Sequence, residues 1–352
     1  MKLFEPLLQR SLSLRNRIVI SPMCEYSATD GVPGHWHLVH LGSRAVGGAG
    51  AVVAEATAVS AQGRISLGDT GLWNDVQVAA WQPITAFIAA QGAVPGVQLA
   101  HAGRKASAQR PWEGGGPLPT EQGAWSTVAP SALPFDAGWH VPSALDAAGI
   151  RRLVDDFRAG ARRALAAGFR LIELHAAHGY LLHQFLSPLS NRREDGYGGS
   201  FENRTRLVRE VVAAVREAWP AELPLWLRIS ATDWAEGGWE VEQSVQLARA
   251  VKALGVDLVD VSSGGLLPRV KIPLGPGYQV PFAARIRREA AIATGAVGLI
   301  TEARQAAAIV DNDEADVVLI ARESLRDPYF PRRAAQELGA SLVAPVQYQR
   351  AW

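Results

Sequence analysis

The sequence predicts an α/β protein built as a single (β/α)8 barrel of the TIM-barrel type, with a long capping excursion after strand 3. Three observations carry this expectation. Short apolar runs alternate with helical segments along most of the 352 residues, which is the pattern of a parallel sheet covered by helices. Eight such runs are present, enough to close a barrel. The residues capable of chemistry gather where the runs end, and in a parallel barrel the C-terminal strand ends form the functional face.

Taken in order, residues 17–20 read as the first strand, stopped by Pro22, which has no N–H for a ladder. A helix over 37–46 leads to Gly47-Gly48-Ala49-Gly50. That cluster precedes a strand instead of following one, so it is a helix stop and turn, not a phosphate loop. Residues 51–57 form the second strand, and a helix over 76–91 starts from Asn74 or Asp75 as N-cap. The third strand, 94–99, is expected to be broken by Pro95 and Gly96. The stretch 106–143 is rich in Pro, Gly and Trp, and an excursion of this length suits a lid, with Trp112, Trp125 and Trp139 placed to line a mouth.

Asp146 caps a helix that Gly168 ends. The fourth strand follows, then a short helix over 180–186 and a polar loop through Ser200. Helices over 201–219, 241–254 and 281–290 alternate with strands at 225–230 and 258–265. Residues 296–300 are expected to lie within a seventh strand, a helix to start at Thr301, and the last strand to span 317–322. One barrel domain therefore spans residues 1–352, with a C-terminal tail over 340–352.

The fourth strand sets the chemistry. Its apolar run ends in His175-Ala176-Ala177-His178-Gly179-Tyr180. Paired imidazole donors beside a phenol suit polarising a carbonyl and protonating the carbon next to it. Two histidines three apart also fit metal ligation, but a zinc site needs a third ligand, and no spacing signature supplies one. The fifth strand carries Arg228, a cation that needs an anionic partner when buried. A neighbouring carboxylate and a bound ligand are both admissible partners.

Composition narrows the classes. With 35 basic and 34 acidic residues, net charge +1, nothing calls for nucleic acid or an anionic membrane surface as a partner. At 48% hydrophobic and 20% charged residues, a large buried core is available without a membrane. No window approaches the ~18 uninterrupted apolar residues of a spanning helix, and the N-terminus lacks a signal-peptide pattern. The single cysteine, Cys24, excludes internal disulfides and a four-cysteine iron–sulfur cluster, and suits a cytoplasmic protein.

Several motifs together resemble the old yellow enzyme family of FMN-dependent ene-reductases, and the similarity covers essentially the whole chain. They are Ser21-Pro22-Met23-Cys24, Gln98-Leu99-Ala100-His101-Ala102-Gly103-Arg104-Lys105, the His175–Tyr180 segment, Phe185-Leu186-Ser187-Pro188-Leu189-Ser190-Asn191-Arg192-Arg193 and Tyr197-Gly198-Gly199-Ser200-Phe201-Glu202-Asn203-Arg204. Cys24 and His178 are similar to the bacterial, thermophilic-like branch. The resemblance implies FMN as a tightly bound, non-covalent cofactor, NADPH as reductant, and an activated C=C bond conjugated to a carbonyl as substrate.

Position by position, the resemblance places Ser21, Pro22, Met23 and Cys24 beside the flavin ring, Ala56 near it, and Gln98 at its pyrimidine edge. Arg228 faces the region where reduced flavin is negative, which supplies an anion for the buried cation. Gly298, Ala321 and Arg322 hold the phosphate, at the usual barrel phosphate site. His175 and His178 bind the substrate carbonyl, Tyr180 is the proton donor, and Tyr26 and Cys24 touch substrate. The tail resembles one exchanged between protomers, so Arg350 and Trp352 are expected near a neighbour's site in a homodimer or dimer of dimers. In the stretch Val297-Gly298-Leu299-Ile300 the chain lacks a Trp that some relatives use as a pocket wall.

Overall fold

The computed structural model describes all 352 residues. Eight strands, β1 (Ile18–Ile20), β2 (Ala51–Ala58), β3 (Val94–Ala100), β4 (Leu171–Ala176), β5 (Leu225–Ser230), β6 (Leu258–Ser262), β7 (Ala293–Ala296) and β8 (Val317–Ile320), pair in chain order. All pairings are parallel, and β8 closes on β1. The helices are α1 (His35–Val46), α2 (Asp75–Ala90), α3 (Ala147–Ala166), α4 (Leu181–Leu186), α5 (Phe201–Ala218), α6 (Val241–Ala253), α7 (Val280–Ala290), α8 (Ala303–Asp311), α9 (Arg322–Arg326) and α10 (Phe330–Glu337). The expected (β/α)8 barrel is thus the observed fold.

Helix ends follow local chemistry. The Asn74 side chain accepts from the Gln77 N–H to start α2, and Asp146 accepts from the Gly149 N–H at 2.6 Å to start α3. Gly168, at φ +91°, takes the left-handed conformation that ends α3.

Strand residues alternate between the helical shell and the barrel interior. Outward residues such as Ile18, Ile172, Leu227 and Val259 join the large core under the helices. Inward residues Val19, Val53, Val94, Leu171, Trp226, Leu258, Val317 and Leu319 fill the N-terminal end of the interior. An antiparallel hairpin, Leu7–Gln9 with Leu12–Leu14, closes that end. Leu14 packs into the interior cluster, and Gln9 Oε1 accepts from the Trp226 indole N–H at 2.6 Å.

Two expectations are corrected. β3 is not broken at Pro95 and Gly96 but pairs with β2 along its length. The Pro95 carbonyl still accepts from the Arg170 N–H, and Gly96 faces inward, where an added Cβ would meet Leu171 and Val53 at 3.2 Å. The seventh strand lies at Ala293–Ala296, ahead of the expected 296–300. Gly298 at φ +125° and Leu299 at φ +52° turn the chain there, which extended pairing does not allow. α8 accordingly begins at Ala303, with Glu302 rather than Thr301 before it.

The 106–143 excursion holds short 3-10 turns and a parallel two-residue pair, Val128–Ala129 with Ser143–Ala144. Three arginines tie it down: Arg104 donates to the Pro134 carbonyl, Arg193 to Pro130 and Arg269 to Asp136. In the C-terminal tail, Trp352 stacks on Tyr329 of its own chain, ring centroids 6.2 Å apart.

Replacing Trp226 by Ala should remove a fully buried plug and cost about 3–5 kcal/mol. Chemical denaturation should show a lower midpoint at unchanged slope.

Candidate active site

The turn after β4 places the cluster. His178 adopts φ +57° and Gly179 φ +74°. Gly179 runs so close to the loop after β6 that an added Cβ would meet the Gly265 carbonyl oxygen at 2.2 Å. This turn folds His178 and Tyr180 back against His175. The His175 ring lies 5.1 Å from that of His178 and 5.0 Å from that of Tyr180, edge-on to both. The three residues that the resemblance groups together thus meet at His175, whose ring touches each of the other two.

Polar partners fix each ring. The Ser230 hydroxyl accepts from the His178 N–H at 2.9 Å, and His178 Nε2 lies 2.7 Å from Ser262 Oγ. Lys105 donates to the carbonyls of His178 and Gly265, at 2.9 and 3.1 Å, and its ammonium sits 5.0 Å from the Tyr180 ring centre. One turn on, the Gly179 N–H donates to His183 Nδ1 at 2.9 Å, while His183 Nε2 faces Asp233 at 2.9 Å. His175 Nδ1 has no partner although the residue is only 3% exposed.

Burial first, then Arg228, holds both imidazoles well below their ordinary pKa, so they are neutral at physiological pH. Burial first, then the neighbouring Cys24, pushes the Tyr180 phenol well up. The Tyr26 phenol, 5.9 Å from the Trp112 ring, is likewise raised, chiefly by burial. Burial also raises the Cys24 thiol, reinforced by Glu55 and Asp69. The cluster thus offers uncharged hydrogen-bond donors and a phenol that keeps its proton. No group of three or more His, Cys, Asp or Glu side chains is arranged to hold a metal ion.

Deeper in the barrel, Gln98, Glu173, Arg228 and Asp260 occupy adjacent inward positions. Gln98 Nε2 donates to Glu173 Oε1 at 2.7 Å, Arg228 Nε lies 3.0 Å from Asp260 Oδ2, and Arg228 Nη1 donates to Ser21 Oγ at 3.2 Å. The anion demanded by the strand arginine is therefore already in the protein, as Asp260. Sequence inspection missed it because Asp260 sits in an apolar run of a different strand. On β2 a register shift between Ala54 and Ala56 turns Glu55 outward. There Glu55 faces His37 at 3.0 Å and accepts from the Glu25 N–H at 2.9 Å, bracing the chain between Cys24 and Tyr26.

A cavity beside β7 and β8 is lined by Ser262, Tyr278, Gly298, Leu299, Ala321 and Arg322. It joins the three residues expected at the phosphate. Arg350, by contrast, lies in an exposed stretch of tail within its own chain.

Residues 2–340 match the model of the NADH:flavin oxidoreductase / NADH oxidase family. The chain belongs to this family. An NADPH dehydrogenase of Listeria innocua is 50% identical over 353 residues, covering 100% of this chain and 99% of the relative. Among solved structures, morphinone reductase is 32% identical with a TM-score of 0.80, covering 97% of this chain and 91% of its own. An old yellow enzyme homologue from Zymomonas mobilis is 27% identical, TM-score 0.80, covering 98% and 95%. The old yellow enzyme resemblance therefore holds, and this family member is an oxidoreductase whose flavin is FMN.

The residues present fit that cofactor. The Arg228 guanidinium is 5% exposed at the strand ends and suits a ring that becomes negative on reduction. The glycine turn at 298 and Arg322 leave an anion-compatible cavity beyond β7 and β8. Several buried neutral histidines have an acid cost, because the unfolded chain binds protons that the folded chain refuses. For His101, 3% exposed and lowered by burial to about 4, stability is complete above the unfolded value of about 6.5 and falls as pH drops from there toward 4. His40, lowered chiefly by burial to about 3, adds in the same direction. Thermal unfolding should therefore show Tm falling from pH 6.5 to 4, and less steeply in His101→Gln.

Proposed function

We propose that the protein is an NADPH-dependent ene-reductase, reducing the C=C bond of α,β-unsaturated carbonyl compounds such as enones, enals and maleimides, with nitro compounds and quinones as further acceptors. The observation that carries this reading is the His175–His178–Tyr180 cluster, two neutral imidazoles and a protonated phenol in edge contact. The NADPH dehydrogenase name of the Listeria relative supports the choice of reductant. When bound, FMN would supply the hydride-transfer chemistry that links NADPH to the substrate β-carbon.

The side chains do the rest. His175 and His178 donate to the carbonyl oxygen and draw electron density from the double bond. Neutral rings perform this without taking a permanent positive charge into a buried site. Tyr180 gives its proton to the α-carbon. Tyr26 and Cys24 also contact the substrate, Tyr26 at its carbonyl. The backbone of Ser21, Pro22, Met23 and Cys24, with Ala56, Gln98 and Arg228, holds the ring, and Gly298, Ala321 and Arg322 hold the phosphate. The 106–143 excursion acts as a lid, with Trp112 against Tyr26 at its mouth. In a cytoplasmic homodimer or dimer of dimers, Arg350 and Trp352 complete the partner's site.

In Tyr180→Phe, anaerobic NADPH should bleach the flavin at the normal rate, while reoxidation by cyclohexenone should slow about 10²–10⁴-fold. His175→Ala and His178→Ala should stay yellow yet lose enone turnover. A colourless protein unable to take up FMN would end the reading. Truncation after Pro345 should lower turnover and alter assembly in sedimentation; an unchanged oligomer with full activity would remove the tail from the site.

A further inference from the structure

One layer of the barrel interior holds more negative charge than its cation can match. Glu173 of β4, Arg228 of β5 and Asp260 of β6 are 0%, 5% and 0% exposed. Register pairs Asp260 with Arg228, and Glu173 lies beside Gln98 on β3. Gln98 satisfies one Glu173 oxygen. The other Glu173 oxygen has no hydrogen-bond partner, and the Asp260 carboxylate is met only by the Arg228 ion pair, Nε to Oδ2 at 3.0 Å.

No other cation reaches these carboxylates. His175, one layer up on β4, is kept neutral by burial. Lys105 is taken up by the His178 and Gly265 carbonyls. β1 presents Ser21 to Arg228. Glu55 of β2 has turned outward onto His37, and β7 and β8 contain no titratable residue. Two ionised carboxylates and one guanidinium would leave an uncompensated charge in the dry interior, which burial strongly disfavours. Both carboxyls are accordingly pushed up, first by burial, Glu173 then by Asp260.

We propose that Glu173 and Asp260 share one proton, and that this proton is the charge buffer of the flavin site, held more tightly when the ring is reduced. The inference rests on the reading that sets Gln98 and Arg228 at the pyrimidine edge. Reduction delivers two electrons and one proton to the ring and leaves one net negative charge there. Arg228 then serves two anions, Asp260 loses part of its counter-charge, and the pair's affinity for its proton rises. At a pH where the oxidised protein has released that proton, reduction draws one back from water, so the pair gains one positive charge as the ring gains one negative. Glu173 and Asp260 thus set the potential through Arg228 without touching substrate.

The test is the midpoint potential of the FMN-loaded protein against pH, read by spectroelectrochemistry. One proton per two electrons gives a slope of about 30 mV per pH unit, and a second proton doubles it to about 59 mV. The expected result is the shallow slope at low pH and the steep one at alkaline pH. Glu173→Gln, which keeps shape and the Gln98 contact, should show only the shallow slope, as should Asp260→Asn. Redox-difference infrared spectra should show a protonated carboxylic acid carbonyl in the parent that both variants lack. A single shallow slope in the parent with no acid band would overturn the proposal. If the protein takes up no FMN, the site reading fails separately. The acid band of the flavin-free protein then decides the shared proton: its presence supports the pair and its absence refutes it.

Discussion

Closure of eight parallel strands is the constraint on which everything else depends. Once the sheet has no edge, every second residue of every strand must point into a space too narrow for water, and what occupies it is set by depth. At the N-terminal end the inward positions are apolar, from Val19 to Trp226. Higher up they become Gln98, Glu173, Arg228 and Asp260, and higher still His175 and Ser230. The same alternation that builds the core therefore delivers the chemistry to one mouth. Polar groups there are affixed to rigid strands, which preserves their geometry better than loops would.

Neutrality under burial links this architecture to function. A carbonyl-polarising site could use charged imidazolium, yet the surroundings of His175 and His178 forbid it, since desolvation and the nearby Arg228 act together. The phenol is protected in the opposite sense, its proton retained because tyrosinate would be stranded beside Cys24 in a dry pocket. One physical cause thus keeps two imidazoles and one phenol uncharged.

Much of this was legible in the sequence. Strand positions followed from continuous apolar runs, because strands buried on both faces permit little else. The His175–Tyr180 cluster was legible because it gathers polar residues where the apolar run ends, although Glu173 and His175 lie within the strand itself. The failures share a cause as well. The apolar stretch 297–300 looked like a strand, but its burial comes from lining a cavity after a left-handed turn at Gly298 and Leu299. Pro95 looked like a break, but its carbonyl still pairs and neighbouring residues carry the ladder. The partner of Arg228 was invisible because strand register, not sequence distance, brings Asp260 to it. Glu55 reaches the Cys24–Tyr26 segment only through a register shift, which no periodicity reveals.

The near-contact of Gly179 with Gly265 has a consequence for how such a site can diversify. Two loops meet there at bare backbone, and Lys105 bolts both carbonyls together. That half of the pocket has no room for side-chain variation. Side-chain variation has room instead across the opening, where Tyr26 and Trp112 stand on the first and third loops. The rim is consequently divided into a frozen wall and an evolvable one.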